Sequence, residues 1–172
     1  MNGTIILSHG LESGPDATKV TALAAVARRL GYTEIRPDYL DLDRLRDPAR
    51  IDERTARLLA NVPADRGPLV LAGSSMGAFC SALASLDVEC AGLFLLAPPV
   101  VIDGYLRPLD AADVPLAIVH GWDDELIDAD AVIAFARARR ATLHLVPDSH
   151  RLSDHVALSA HWFEQFLRRL QP

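Results

Sequence analysis

Six short apolar runs, each followed by a segment that is charged, turn-like or spaced like a helix, set the strongest limit on what this chain can fold into. The runs are Thr4–Ser8, Glu34–Pro37, Leu69–Gly73, Gly92–Ala97, Leu116–His120 and Leu143–Val146. Most of them are continuously apolar. A strand with one face in water alternates apolar and polar residues, whereas a strand covered by helices on both faces has no reason to. Between the runs, Val20, Leu23, Ala24, Ala27 and Leu30 share one helical stripe that Gly31 closes, and Val156, Ala160, Phe163, Leu167 and Leu170 share another. Asp128 or Asp130 is placed to cap a helix carrying Val132, Ile133 and Phe135. The pattern predicts an α/β fold: a mostly parallel sheet with helices on both faces. At 172 residues the chain suits one domain, 1–172, with no repeat and no linker.

Composition narrows the function classes. The net charge is −6 and no Lys/Arg cluster makes the basic face of a nucleic-acid binder. No stretch reaches the ~18 apolar residues of a membrane span, and the N-terminus lacks a basic segment before an apolar run. The expectation is therefore a cytoplasmic protein with no leader to remove, no membrane and no nucleic-acid partner. Cys80 and Cys90 have neither a disulfide framework nor a metal-ligand spacing, so they are expected as buried, reduced thiols, and no metal or other cofactor is implied.

In a parallel α/β sheet, ligands bind outside the carboxyl ends of the strands, so the residues just after each run carry the functional reading. After the third run stands Gly73-Ser74-Ser75-Met76-Gly77, a G-x-S-x-G pattern at a strand-to-helix turn. Alone the pattern arises by chance in roughly one chain of this size in twenty. Its place between Leu69–Ala72 and a helical segment, Ala78–Leu86, makes it a candidate nucleophile elbow, with Ser75 at the tip. After the first run comes His9-Gly10-Leu11-Glu12-Ser13-Gly14-Pro15, a loop able to turn the Leu11 N–H toward Ser75. With the Met76 N–H it would form an oxyanion hole. The loop lacks the glycine spacing or lysine of a phosphate cradle. His9 reads as structural, bonding loop backbone.

After the fifth run comes His120-Gly121-Trp122-Asp123-Asp124-Glu125-Leu126-Ile127, three acids of which one can orient a histidine. After the sixth comes Pro147-Asp148-Ser149-His150. Of the six histidines only His150 sits on a loop at the right edge: His144 falls in a strand, and His155 and His161 in the closing helix. A serine hydroxyl needs a base to take its proton, and that base needs a carboxylate to hold its tautomer. Ser75, Asp124 and His150 supply the three parts in the chain order Ser, Asp, His.

These elements (HGLESGP, GSSMG, HGWDDELI and DSHRLSDH, each after a run) resemble those of small bacterial α/β-hydrolases over nearly the whole chain. The resemblance implies a minimal α/β-hydrolase fold of about six parallel strands in the order 2-1-3-4-5-6. The chain is expected to depart from the family's pattern in two ways: the usual antiparallel N-terminal hairpin is absent, and so is the cap domain, because only about fifteen residues, Val100–Val114, lie where one would be inserted. In the family's H-G-x-x-D-x-x-V-like pattern the acid is the fifth residue, which maps to Asp124, and the family's histidine maps to His150. Asp123 and Glu125 are the neighbours that could share Asp124's role. The implied activity is a serine hydrolase of esterase or thioesterase type acting on a small-molecule acyl substrate. An acyl pocket lined by Leu11, Met76 and Trp122 is expected. Two other readings share the alternating pattern: a non-catalytic or regulatory binding module on the same fold, and a flavodoxin-like nucleotide-binding domain. Nothing in the sequence speaks to oligomeric state.

Overall fold

The computed structural model describes residues 2–45, 47 and 50–171. Its centre is one six-stranded parallel sheet: β1 (Thr4–Ser8), β2 (Thr33–Ile35), β3 (Leu69–Ser74), β4 (Gly92–Leu96), β5 (Leu116–Gly121) and β6 (Thr142–Val146), in the order β2-β1-β3-β4-β5-β6. Every neighbouring pair is parallel. This is the topology expected, and the five longer strands lie within a residue of the apolar runs. The edge strand β2 differs most. It spans Thr33–Ile35 rather than Glu34–Pro37, because a proline has no N–H for the ladder and the Arg36 side chain is drawn off to Glu34, Asp16 and the Pro15 carbonyl.

Continuous apolarity follows from two separate cores. On one face, Ile5, Leu7, Val70, Ala72, Phe94, Leu96, Ala117 and Val119 pack against α1 (Thr18–Arg29) and α6 (Val156–Leu170). On the other, Ile6, Leu69, Leu71, Leu93, Leu95 and Ile118 meet α3 (Arg50–Ala60), α4 (Met76–Ala84) and α5 (Ala129–Ala138). Successive residues of each central strand thus alternate between two apolar layers. In α6, Ser159 and Phe166 join Phe163 and Leu167 in the buried set, while the outlying Val156 and Leu170 stay part-exposed. Asp128 is the residue that caps α5, accepting from the Asp130 N–H.

A short helix α2 (Leu40–Asp43) and α3 were not anticipated element by element. The α3 sequence hides its period because its buried face is Ile51, Arg54, Thr55 and Leu58, with a charged residue in the middle of the stripe. Between β4 and β5 the chain crosses without any helix or strand, so there is no cap domain. No helix among the described residues is long and apolar enough to cross a membrane. Cys80 and Cys90 are buried and unpaired, and burial pushes the Cys80 thiol up to about 11.

Candidate active site

The turn from β3 into α4 is so tight that its backbone admits no side chains at two positions. A Cβ on Gly73 would lie 2.4 Å from the Gly77 carbonyl carbon, and one on Gly77 would lie 2.2 Å from the Ser8 carbonyl oxygen. Ser75, between them, sits at φ 52° and ψ −121°, a backbone region that side-chain-bearing residues rarely occupy and that costs on the order of 1–3 kcal/mol. The strain is held by the Ser75 N–H bonding to the Leu96 carbonyl and its C=O accepting from Phe79 N–H. Met76 opens α4, so its N–H is one of the donors that a helix's first turn cannot satisfy internally.

The loops after β5 and β6 are zipped to each other. Trp122 N–H bonds to the Val146 carbonyl at 2.8 Å and Asp123 N–H to the Asp148 carbonyl at 3.1 Å. Gly121 is required there: a Cβ would fall 2.2 Å from the Asp148 carbonyl oxygen. The zip brings Asp124 and His150 together. Asp124 Oδ1 accepts from the Leu126 and Ile127 N–H groups, which leaves Oδ2 to take His150 Nδ1–H at 2.8 Å. His150 Nε2 faces Ser75 Oγ at 2.9 Å. The Asp124 carboxylate is fully buried and the His150 ring nearly so. Glu125 does not touch the ring; its Oε2 accepts the His150 backbone N–H, the first of the contacts that hold its carboxyl below the ordinary range. Asp123 has the backbone hydrogen bond above, and its carboxylate has no hydrogen bond or ion pair among the described residues.

The structure therefore brings Ser75, His150 and Asp124 into one hydrogen-bonded line, with Leu11 and Met76 lining the same cleft. The cleft has a volume of about 1060 Å³ and is walled by Leu11, Met76, Val101, Ile102, Leu126 and Ile127 on its apolar side. Trp122 does not line it. That ring, expected in the acyl pocket, is 54% exposed, because residue 122 continues the β5–β6 ladder instead of turning into the cleft. Lys19, the chain's single lysine, does line it, and donates to the Arg151 carbonyl at 2.8 Å.

His155, expected as an ordinary residue of the closing helix, lies in a short 3-10 turn (Ser153–His155) ahead of α6. Its Nδ1 donates to Asp148 Oδ2 at 2.9 Å. His144 stacks on Trp162 with centroids 4.0 Å apart. His9 is fully buried and bonds backbone, as expected: Nε2 accepts the Tyr39 N–H and Nδ1 donates to the Gly10 carbonyl. Beside it the sequence reading missed a buried pair, Asp43 and Arg54. Among the described residues no group of three or more His, Cys, Asp or Glu side chains could hold a metal ion.

Comparison with known proteins decides the family. The profile described as "Alpha/beta hydrolase domain" matches residues 1–167. The chain belongs to the α/β-hydrolase family. A protein from Xanthomonas campestris pv. campestris, assigned to the hydrolases of the α/β superfamily, is 49% identical with a TM-score of 0.90, over 97% of this chain and 99% of its own. A second X. campestris protein, described as an α/β serine hydrolase without a lid, is 25% identical with a TM-score of 0.71, over 98% of this chain and 82% of its own. Est1E from Butyrivibrio proteoclasticus shares the fold at 18% identity, with a TM-score of 0.79 over 98% of this chain and 88% of its own. Comparison with curated proteins returned no match. Like the lidless relative, this α/β-hydrolase leaves its cleft uncapped.

Proposed function

We propose that this α/β-hydrolase is a serine hydrolase that cleaves a small carboxylic ester or thioester through an acyl-enzyme. The observation that carries the proposal is His150, which bridges Ser75 Oγ at 2.9 Å and Asp124 Oδ2 at 2.8 Å at the floor of an open cleft. With Nδ1–H held by Asp124, the lone pair of Nε2 points at the serine proton. Nε2 removes that proton as Oγ attacks the carbonyl carbon. The oxygen that gains charge would sit against the Leu11 and Met76 N–H groups, which are costly to remove: each such donor is worth about 3 kcal/mol of barrier. Collapse expels the alcohol or thiol, protonated by His150, and leaves Ser75 acylated. Water, deprotonated by the same Nε2, then attacks the acyl carbon and frees Ser75. Each step uses groups of this chain and water alone.

Asp124 stabilises the imidazolium that forms twice per cycle. Because its second oxygen is committed to two backbone N–H groups, the carboxylate cannot rotate away as the charge appears. Leu11, Val101, Ile102 and Leu126 make the cleft suited to an apolar acyl or leaving group. The test is labelling with a fluorophosphonate, followed by a panel of p-nitrophenyl esters graded by acyl length. Stoichiometric labelling at Ser75 and turnover of at least one short ester are expected. A wild-type protein that neither labels nor turns over any ester would overturn the proposal.

A further inference from the structure

The donor that needs most explanation is the Leu11 N–H. Met76 is fixed by the helix it opens, but Leu11 sits on a loop and its side chain is 47% exposed, so packing of that side chain cannot aim its backbone. The loop also carries a strained residue, Glu12 at φ 56°, and strain of this kind persists only where the surroundings over-determine it.

What surrounds the loop is an ion pair from elements far away in sequence. Arg54 on α3 and Asp43 at the end of α2 are 2% and 1% exposed and bonded to each other. Each has a further bond to the loop backbone, on opposite sides of Leu11. Arg54 Nη2 donates to the His9 carbonyl at 2.7 Å. Asp43 Oδ2 accepts the Glu12 N–H at 2.9 Å. The Arg54 guanidinium also lies over the Tyr39 ring, 4.4 Å from its centre. Tyr39 in turn donates its N–H to His9 Nε2 and shares a hydrogen bond with Ser8 Oγ. Thus His9, two residues before Leu11, and Glu12, the residue after it, are tied to one buried charged unit, and the Gly10–Leu11 peptide that carries the Leu11 N–H spans the gap between the ties.

A buried ion pair is weak evidence for stability, since desolvating two charges costs about as much as their attraction returns, and apolar replacements are often neutral. A pair that also bonds two backbone groups of a single loop, one from each partner, has a geometric role that an apolar pair could not fill. We infer that Asp43 and Arg54 are positioning residues for the oxyanion loop: together they hold the His9 carbonyl and the Glu12 N–H so that the Leu11 N–H stays aimed at the oxygen that gains charge on acylation of Ser75. The inference rests on the acyl-transfer reading above. It predicts an effect on the transition state and little on substrate binding, because a planar ester carbonyl uses the hole less than a tetrahedral oxyanion does.

The test uses the full chain and p-nitrophenyl butyrate, with wild type and Ser75→Ala measured first. The variants are Asp43→Asn, which keeps an oxygen for the Glu12 N–H but loses the charge that holds Arg54, and Arg54→Lys and Arg54→Met. Asp41→Asn is the control. Asp41 pairs with Arg57 on the exposed side of the same two helices and touches no loop backbone. Each variant is checked for a folded near-ultraviolet circular dichroism spectrum. The readouts are kcat, KM and the inhibition constant of 1-butaneboronic acid, which captures a serine hydroxyl as a tetrahedral adduct. Displacing one donor rather than deleting it should lower kcat of Asp43→Asn about 10- to 100-fold. KM should stay within about threefold, and the boronic acid should weaken by the same factor as kcat. Arg54→Lys should retain more activity than Arg54→Met, and Asp41→Asn should match wild type. If Asp43→Asn does not fold, Arg54→Lys decides by the same readouts. A folded Asp43 or Arg54 variant with wild-type kcat overturns the inference. So does a kcat loss without matching weakening of the boronic acid. Wild type that cleaves no ester, or that Ser75→Ala equals, removes the acyl-transfer reading instead, and the positioning role with it; flat variants in an active enzyme remove the positioning role alone.

Discussion

Two Asp–His pairs lie side by side where the loops after β5 and β6 meet, and their local geometry is nearly the same. Asp124 meets His150 at 2.8 Å and Asp148 meets His155 at 2.9 Å, in each case through Nδ1 and Oδ2. In each the carboxylate is buried, the ring is partly so, and the other oxygen accepts backbone N–H. The difference lies beyond the pair. The far nitrogen of His150 faces Ser75 Oγ, whereas His155 closes a turn in which Asp148 also takes the Ser149 and Asp154 N–H groups. An oriented imidazole is therefore not a site in itself; what the free nitrogen meets decides whether the pair moves a proton or holds a loop.

The comparison is broken most sharply by removing the rings. Ser75→Ala and His150→Ala should each lower turnover of a short ester by about 10⁴-fold or more, while His155→Ala should stay within about tenfold of wild type. Steady-state kinetics on one p-nitrophenyl ester checks all three. Equal losses at His150 and His155 would mean that the two pairs had been assigned the wrong way round. Next come the carboxylates. Asp124→Asn should cost on the order of 10⁴-fold in kcat through a wrongly held tautomer. Asp123→Asn should cost little, since the Asp123 contact to the partner loop runs through its backbone. A severe Asp123→Asn would move the acid one residue back.

Asp148 sharpens the comparison from the other side. Burial pushes its carboxyl up, but bonds from His155, the Ser149 N–H and the Asp154 N–H outweigh that and leave it below the ordinary value of 3.8. Hydrogen bonds to a charged group are worth about 1.5–3 kcal/mol, so Asp148→Ala should lose that much stability in urea unfolding at pH 7 while kcat falls no more than about tenfold. The depressed carboxyl adds stability above its unfolded pKa, and this is lost as pH falls below about 4. In Asp148→Ala that part of the acid loss should be missing.

Most of the fold could be read because its strands are buried on both sides and announce themselves as unbroken apolar runs. Ser75, Asp124 and His150 could be picked out because each follows such a run directly, where the sheet's carboxyl edge collects them. Arg54 and Asp43 could not. Arg54 interrupts the apolar face of α3, so a helical period was hidden by the residue that matters. The contacts of the pair are to backbone atoms of His9 and Glu12, which leave no trace in residue type. His155 was misplaced for a related reason. Residues 153–155 stand directly ahead of the stripe that begins at Val156, and what separates them as a 3-10 turn is Leu152 at φ 51° together with the bonds of the Asp154 N–H and His155 to the Asp148 carboxylate.

A third imidazole completes the comparison, with the smallest expected effect. His120 Nε2 donates to the Ile127 carbonyl at 3.1 Å and lies 3.6 Å from Asp124 Oδ2. Its Nδ1 is buried and has no hydrogen-bond partner among the described residues. Burial lowers its pKa below 6.5, more than the neighbouring Asp124 carboxylate raises it. The ring is thus kept neutral in the fold at a pH where the unfolded chain already binds the proton. For such a depressed imidazole the stabilisation is complete above about pH 6.5 and is lost as pH falls from there toward the folded value. His9 is shifted the same way, again chiefly by burial. Each such group steepens the fall in stability by up to about 1.4 kcal/mol per pH unit within its window. His120→Gln keeps an N–H for the Ile127 carbonyl and cannot titrate, so its unfolding free energy should fall less steeply than wild type between pH 6.5 and 5.5. The Asp148 contribution lies lower, below pH 4, so urea titrations at pH 7.5, 6.5, 5.5 and 3.5 separate the two carboxylate neighbourhoods. An unchanged slope in His120→Gln would show that Asp124 shares its charge with a second imidazolium, and the two Asp–His pairs would then differ in kind as well as in what they face.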